Sequence, residues 1–295
     1  PRHLPEPEVT TGQRAATRNL DAQISGKLQS IVRTAGVTLS SLVQSAWALL
    51  LSKYTGEKEV LFGYAVSGRP ADLDGVENMV GLFINSLPMR LTLEPSQPLV
   101  ECLKRVQQRQ AEADEFAYVA LTDIQKWLGL RTDQALFESL VVLENYPLDR
   151  SLLKNSRPED LQLRAIKGVE QNDFPLNLVI YPGTSITVKL AYQSHLYSPE
   201  AADTILAHFC ELLASMAEGQ LADIEHKSLA DVGMLTSAGV KQAVFTWNYT
   251  LTPLPTQKYL FDLFEEQAKA QASARALVMG ESVWTYGELS RRVWE

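Results

Sequence analysis

A chain of 295 residues with 45% hydrophobic content is long enough for one large domain or two ordinary ones, and it supports a substantial core. Its 35 acidic and 27 basic residues give a formal charge of −8, and no long basic run is present to release counterions from phosphate, which excludes nucleic acid as the expected partner. No stretch reaches the roughly 18–20 consecutive apolar residues of a membrane span, so no membrane partner is expected. Cys102 and Cys210 match no metal spacing and read as reduced, buried thiols of a cytoplasmic protein. The first residues, Pro1-Arg2-His3-Leu4-Pro5, carry neither an initiator methionine nor a signal peptide, and the chain reads as part of something longer.

Residues 1–19 are rich in Pro, Thr and Arg without periodicity and read as an extended lead-in. Ile24, Leu28, Ile31 and Val32 then recur at helical spacing over 21–35. A stronger helix runs from Leu39 to Tyr54, with Thr38 or Ser40 as N-cap and Gly56 just past its end. Being apolar nearly all round, it is expected to be sandwiched between other elements. A buried strand over 59–66 ends abruptly at Ser67-Gly68-Arg69-Pro70, and a second strand-like run, Met79 to Leu91, follows a Gly/Asp-rich crossing. Pro98 starts another helix with Leu99, Leu103 and Val106 on one face; 136–147 reads as a strand closed by Pro147. Residues 173–181 and 185–192 form a hairpin about Pro182-Gly183-Thr184, and a long amphipathic helix runs from Ser198-Pro199 to Gly219. Strands and helices intermix without a βαβ rhythm, which predicts an α/β (α+β) fold: a mixed sheet covered by helices. Residues 236–258 read as a linker packing partly through Val244, Phe245 and Trp247; a short helix at Leu260, a hairpin and a Thr285/Glu288 capping box then open a second domain.

Complete catalytic chemistry is missing from the sequence. His3, His195, His208 and His226 belong to no metal-binding or nucleophile-activating pattern, and lone histidines are ordinarily satisfied polar groups. Neither cysteine has a basic neighbour to activate it. The acidic pairs Asp72/Asp74, Asp114/Glu115 and Glu265/Glu266 read as solvated faces or loops, since adjacency in sequence does not make an acid–base pair.

Several motifs occur in order, however. F-G-Y-A-V-S-G-R-P (62–70) followed by V-G-L-F-I-N-S-L-P-M-R (80–90) resembles two successive core motifs of nonribosomal peptide synthetase condensation domains. L-F-E-S-L-V-V-L-E-N-Y-P (136–147) and F-P-L-N-L-V-I-Y-P-G (174–183) are similar to later motifs of that family. Beyond the linker, F-T-W-N-Y-T and V-W-T-Y-G-E-L-S-R-R resemble the opening of an adenylation domain, with Trp284 in place of the usual leucine.

The resemblance implies two lobes, each like chloramphenicol acetyltransferase, with a tunnel between them. Carrier proteins bring phosphopantetheine thioesters from both ends, and the acceptor amine attacks the donor thioester. The family's H-H-x-x-x-D-G motif belongs to the N-terminal lobe and does not occur in this chain. The resemblance therefore implies the C-terminal lobe over 1–235, a linker over 236–250 and the start of an adenylation domain over 251–295. It implies no catalytic residue here and no bound cofactor, with phosphopantetheine presented by donor and acceptor carrier proteins. The other partners are the N-terminal lobe and the rest of the adenylation domain.

On this reading Arg69 faces the lobe interface, paired with a carboxylate of the other lobe, and is exposed and unpaired in this chain alone; otherwise it is a surface arginine. Ser67 and Gly68 let the chain pass close to substrate or to a crossover loop, and Asn85 and Ser86 either line the tunnel or mark a β-bulge or an end-of-strand polar pair. Segments after Pro70 and around Glu170–Leu178 are candidate crossovers between lobes. Epimerisation and heterocyclisation domains share the fold, and a purely structural docking platform is the rival from another class.

Overall fold

A computed structural model of the chain describes residues 12–69, 73–131, 133–144, 173–252 and 258–295. It divides into two compact units, 1–240 and 241–295.

In the first unit the described part of the extended lead-in forms a strand, β1 (Gln13–Asn19). Helix α1 (Ala22–Ala35) starts where the Asp21 carboxylate accepts from the Ile24 N–H at 2.7 Å and stops at Gly36, whose φ of 66° closes the last turn. Helix α2 (Leu39–Thr55) is capped by Thr38 and terminated by Gly56, and every residue from Ser41 to Leu50 is buried. The sandwiched helix expected from its composition is thus found. Strand β2 (Glu59–Val66), strand β3 (Asn85–Thr92) and helix α3 (Leu99–Asp114) follow. A short helix absent from the sequence reading, α4 (Leu121–Trp127), precedes β4 (Ser139–Leu143). The hairpin β5 (Leu176–Tyr181)–β6 (Thr187–Gln193) leads to α5 (Pro199–Met216), with Ser198 as N-cap and Pro199 at its first position.

The strand order is β1-β6-β5-β4-β2-β3 in one six-stranded sheet. β4 runs parallel to both β2 and β5, and the remaining pairs are antiparallel, so the sheet is mixed as expected. β3 lies at an edge, which explains how Pro88 is tolerated within it: its missing N–H faces no partner strand. One face of the sheet packs against α2, which in turn contacts α3 and α5. Trp47 anchors that layer, its indole N–H donating to Ser139 Oγ at 3.0 Å and its ring meeting Phe209 edge-on with centroids 5.9 Å apart. On the opposite face Phe137 stacks on Phe174 and lies over Gly63, where an added Cβ would fall 2.1 Å from the Phe137 ring.

Two readings are corrected. The run 79–91 is a strand only from Asn85, because β2 ends at Val66, the partner of Asn85, and nothing remains for residues 79–84 to pair with. The proposed linker is helical over part of its length, α6 (Ser237–Lys241) continuing as a π-helical turn over Gln242–Thr246, and Val244, Phe245 and Trp247 are exposed rather than packed.

In the second unit, α7 (Leu260–Ala270) precedes the hairpin β7 (Arg275–Met279)–β8 (Ser282–Thr285) and α8 (Tyr286–Trp294). The capping box read from the sequence is present: Thr285 Oγ1 accepts from the Glu288 N–H, and the Glu288 carboxylate accepts from the Thr285 N–H at 2.9 Å. Phe261, Phe264, Tyr286 and Trp294 form an aromatic cluster between α7 and α8. Among the described residues no single helix is long and apolar enough to cross a membrane.

Candidate functional site

The carboxyl ends of β2 and β4 open into a cleft of about 1290 Å³ on the helical side of the sheet. Its walls come from the first residues of α2 (Thr38, Leu39, Ser40), the last turn of α3 and the segment just past it (Gln110 to Tyr118) and the end of β2. Ser67, Gly68 and Arg69, singled out from the sequence, all line it.

Gly68 is where the chain leaves the sheet. Its φ is 61°, and a Cβ there would lie 1.7 Å from the carbonyl oxygen of Phe83, so two backbones meet at a spot only glycine can occupy. This close approach lets Arg69 reach back over residues 76–83. Its guanidinium donates from both Nη atoms to the Met79 carbonyl at 3.1 Å, donates to the Val76 carbonyl, and lies over the Phe83 ring 4.2 Å from its centroid. Arg69 is exposed, as expected, but it is not unpaired: it closes the carbonyl end of the turn Val76–Asn78. The expectation overlooked that a guanidinium with no carboxylate in reach takes backbone carbonyls instead. Held this way, the following segment presents Val80, Leu82 and Ile84 to solvent. Pro70, Ala71, Asp72 and the stretch 145–172, including the start of the crossover expected around Glu170–Leu178 and the end of the 136–147 motif, lie outside the described residues.

Asn85 and Ser86 do not line the cleft. The Asn85 amide donates to the carbonyls of Ala117 and Val119 at 2.8 and 2.7 Å, while its oxygen accepts from the Ser86 N–H. It ties the start of β3 to the loop that forms one wall. No bulge interrupts the β2–β3 register here.

The sequence reading missed Tyr64; the pair Asp114/Glu115, read there as solvated, is indeed exposed, at the rim of the cleft. Tyr64 belongs to the floor of the cleft and is only 2% exposed, and its hydroxyl has no hydrogen-bond partner among the described residues. Loss of water and the nearby Asp114 charge both push the phenol well above its ordinary pKa. Asp114 and Glu115 stand in the wall, and desolvation holds the Asp114 carboxyl above its usual range. The available signal was a polar-tipped aromatic near the end of an otherwise apolar strand.

His208 Nδ1 shares a hydrogen bond of 2.8 Å with Tyr54 Oη, and among the described residues no cluster of His, Cys, Asp or Glu suits a metal ion. Cys102 is fully buried, and burial pushes the Cys210 thiol up to about 11. Native chain near neutral pH is therefore expected to react with iodoacetamide roughly a hundredfold more slowly than chain unfolded in urea. Intact mass would read this, and one alkyl group added within minutes to native protein would contradict it.

A family model described as the condensation domain matches residues 1–233. One of the linear gramicidin synthase proteins of Brevibacillus parabrevis is 38% identical over 285 residues, covering 97% of this chain but 4% of that protein. Chondramide synthase cmdD of Chondromyces crocatus is 40% identical over 229 residues, covering 78% of this chain and 6% of the relative. Among solved structures, a four-domain nonribosomal peptide synthetase bound to AMP and glycine superimposes with a TM-score of 0.72 at 17% identity, covering 96% of this chain and 22% of that one. The first condensation domain of the calcium-dependent antibiotic synthetase, in complex with a substrate analogue, gives 0.58 at 18% identity, covering 76% of this chain and 47% of that one. The chain belongs to the condensation-domain family, and its mixed sheet with covering helices is the chloramphenicol-acetyltransferase-like fold of those domains.

Proposed function

We propose that residues 1–235 are the acceptor-side, C-terminal lobe of a peptide-bond-forming condensation domain within a cytoplasmic nonribosomal peptide synthetase. The observation that carries this reading is the match of residues 1–233 to the condensation-domain family together with coverage of 47% of one solved condensation domain. An N-terminal lobe supplies the catalytic motif; this chain supplies the acceptor wall through Ser67, Asn85 braces the loop behind that wall, and Arg69 holds the segment that meets the other lobe. Donor and acceptor carrier proteins present the phosphopantetheine thioesters, and the acceptor amine attacks the donor carbonyl with loss of the donor thiol. Residues 236–250 then link to the opening of an adenylation domain over 251–295.

The test supplies donor and acceptor aminoacyl carrier proteins to this chain alone and to the chain joined to an N-terminal condensation lobe. Product by intact mass is expected only with that lobe present. Product from this chain alone would mean that a catalytic base is present in it, with His195 and His208 the first residues to replace. With matched substrates, no product from either would favour a non-catalytic docking platform.

A further inference from the structure

Two side-chain amides hold the α3 wall of the cleft in place. At one end Gln110 donates to Ser40 Oγ at 3.0 Å and accepts from Ser41 Oγ at 2.8 Å, which ties the helix to the first turn of α2. At the other, the Asn85 amide donates to the carbonyls of Ala117 and Val119, the residues on either side of Tyr118. The Asn85 oxygen accepts from the Ser86 N–H at 2.8 Å, so this amide has a single orientation. Between the two braces the backbone closes turn upon turn, Ala117 N–H donating to Asp114 at 3.1 Å and Val119 N–H to Phe116 at 2.9 Å. The Tyr118 main chain is therefore fixed from both sides, yet its side chain is 82% exposed where it lines the cleft. A ring that open adds little buried area to the fold, and surface loops ordinarily carry such rings on mobile chain. Asn85 also pairs with Val66, the last residue of β2, which itself lines the cleft one step before Ser67. One strand pair thus sets where both Ser67 and Tyr118 stand.

We propose that Tyr118 is a contact residue for the acceptor arm, the amide-bearing alkyl chain that carries the acceptor thioester, and that Asn85 is its positioning residue. The assignment rests on the condensation reading for the identity of the arm. Tyr118 stands at the rim of the cleft and not in its floor, so it meets the part of the substrate that passes the mouth. An aromatic face gives such a chain apolar contact without asking for a particular amino acid at its end. Asn85 does not line the cleft and acts only by holding the ring where the arm passes. That removes the ordering cost a mobile ring would incur at each binding event. Neither residue performs chemistry, and the effect falls on acceptor affinity.

Steady-state peptide formation by the full chain joined to an N-terminal condensation lobe tests this, with matched substrates and the acceptor varied at saturating donor. The acceptor is supplied on its carrier protein and, in parallel, as free aminoacyl pantetheine. Tyr118→Ala is expected to raise KM about tenfold for both forms while kcat changes less than about twofold. Its thermal midpoint should stay that of the parent, because the ring is exposed. Tyr118→Phe should recover most of the lost affinity, since the ring face makes the contact. Asn85→Ala should raise KM severalfold in the parent but add less than about twofold in the Tyr118→Ala background, because it acts through that ring. An unchanged KM in Tyr118→Ala would overturn the contact, and a rise confined to the carrier-borne acceptor would place Tyr118 on the carrier protein instead of the arm. An equal Asn85→Ala increase in both backgrounds would reduce Asn85 to a structural brace. No product from the parental assembly would sink the condensation reading and this contact with it, whereas product at the parental KM from Tyr118→Ala sinks the contact alone.

Discussion

Trp47→Ala is expected to destabilise the first unit by about 4 kcal/mol, near the upper range for an aromatic core truncation. Trp47 is 1% exposed at the centre of α2, between the sheet and α5, and its ring is the edge-on partner of Phe209. Truncation also leaves Ser139 Oγ, buried on β4, without its indole donor. Urea unfolding followed by far-UV circular dichroism reads the loss as a lower midpoint. Trp47→Phe separates the contributions: it keeps most of the ring volume and should cost about 1–2 kcal/mol for the lost hydrogen bond and edge. A loss below about 1 kcal/mol in Trp47→Ala would mean that α2 is not the central packing element described here.

Gly68→Ala should have the largest effect at the site itself. Alanine in the left-handed conformation costs about 1–2 kcal/mol before any contact is considered. The Phe83 carbonyl oxygen then occupies the place of the new methyl group, so residues 76–84 must move away and Arg69 loses its carbonyl acceptors. Chymotryptic cleavage between residues 73 and 84 should rise about tenfold or more, the factor that such a local opening energy implies. Product formed in the presence of an N-terminal lobe should fall in parallel, while the far-UV spectrum stays that of the parent. Unchanged cleavage and unchanged product would mean that the Gly68–Phe83 approach is not what holds the segment.

Helices were the most legible elements, for a local reason. Asp21, Thr38 and Ser198 stand at N-caps, and Gly36 and Gly56 stand where left-handed closure is required. Each of these signals acts within one turn, so neighbouring residues suffice to specify it. The run 79–91 shows the limit. Its apolar residues suit a strand throughout, yet only 85–92 pair, because strand length is a property of two segments and β2 stops at Val66. Val244, Phe245 and Trp247 fail similarly, since an apolar side chain in a linker does not name what will cover it.

The site divides along the same line. Ser67, Gly68 and Arg69 stood out because a strand running into a small residue, a glycine and a cation is locally unusual. That Arg69 would clasp the carbonyls of Val76 and Met79 depended on a turn seven to ten residues away. Asp114 and Glu115 are the solvated end of a helix, as read, and only the packing of α3 beside α2 places them at the rim of a cleft. Tyr64 looked like one more strand residue until the floor closed around its hydroxyl. By itself the sequence determined the long helices and their caps, the mixed α/β character, the order of the motifs and the place where β2 breaks, all consequences of short-range periodicity and backbone preference. Only the tertiary structure decided which strand ends pair, which carboxylates share a cavity and which hydroxyl is left without a partner, because those depend on residues far apart in the chain meeting in space.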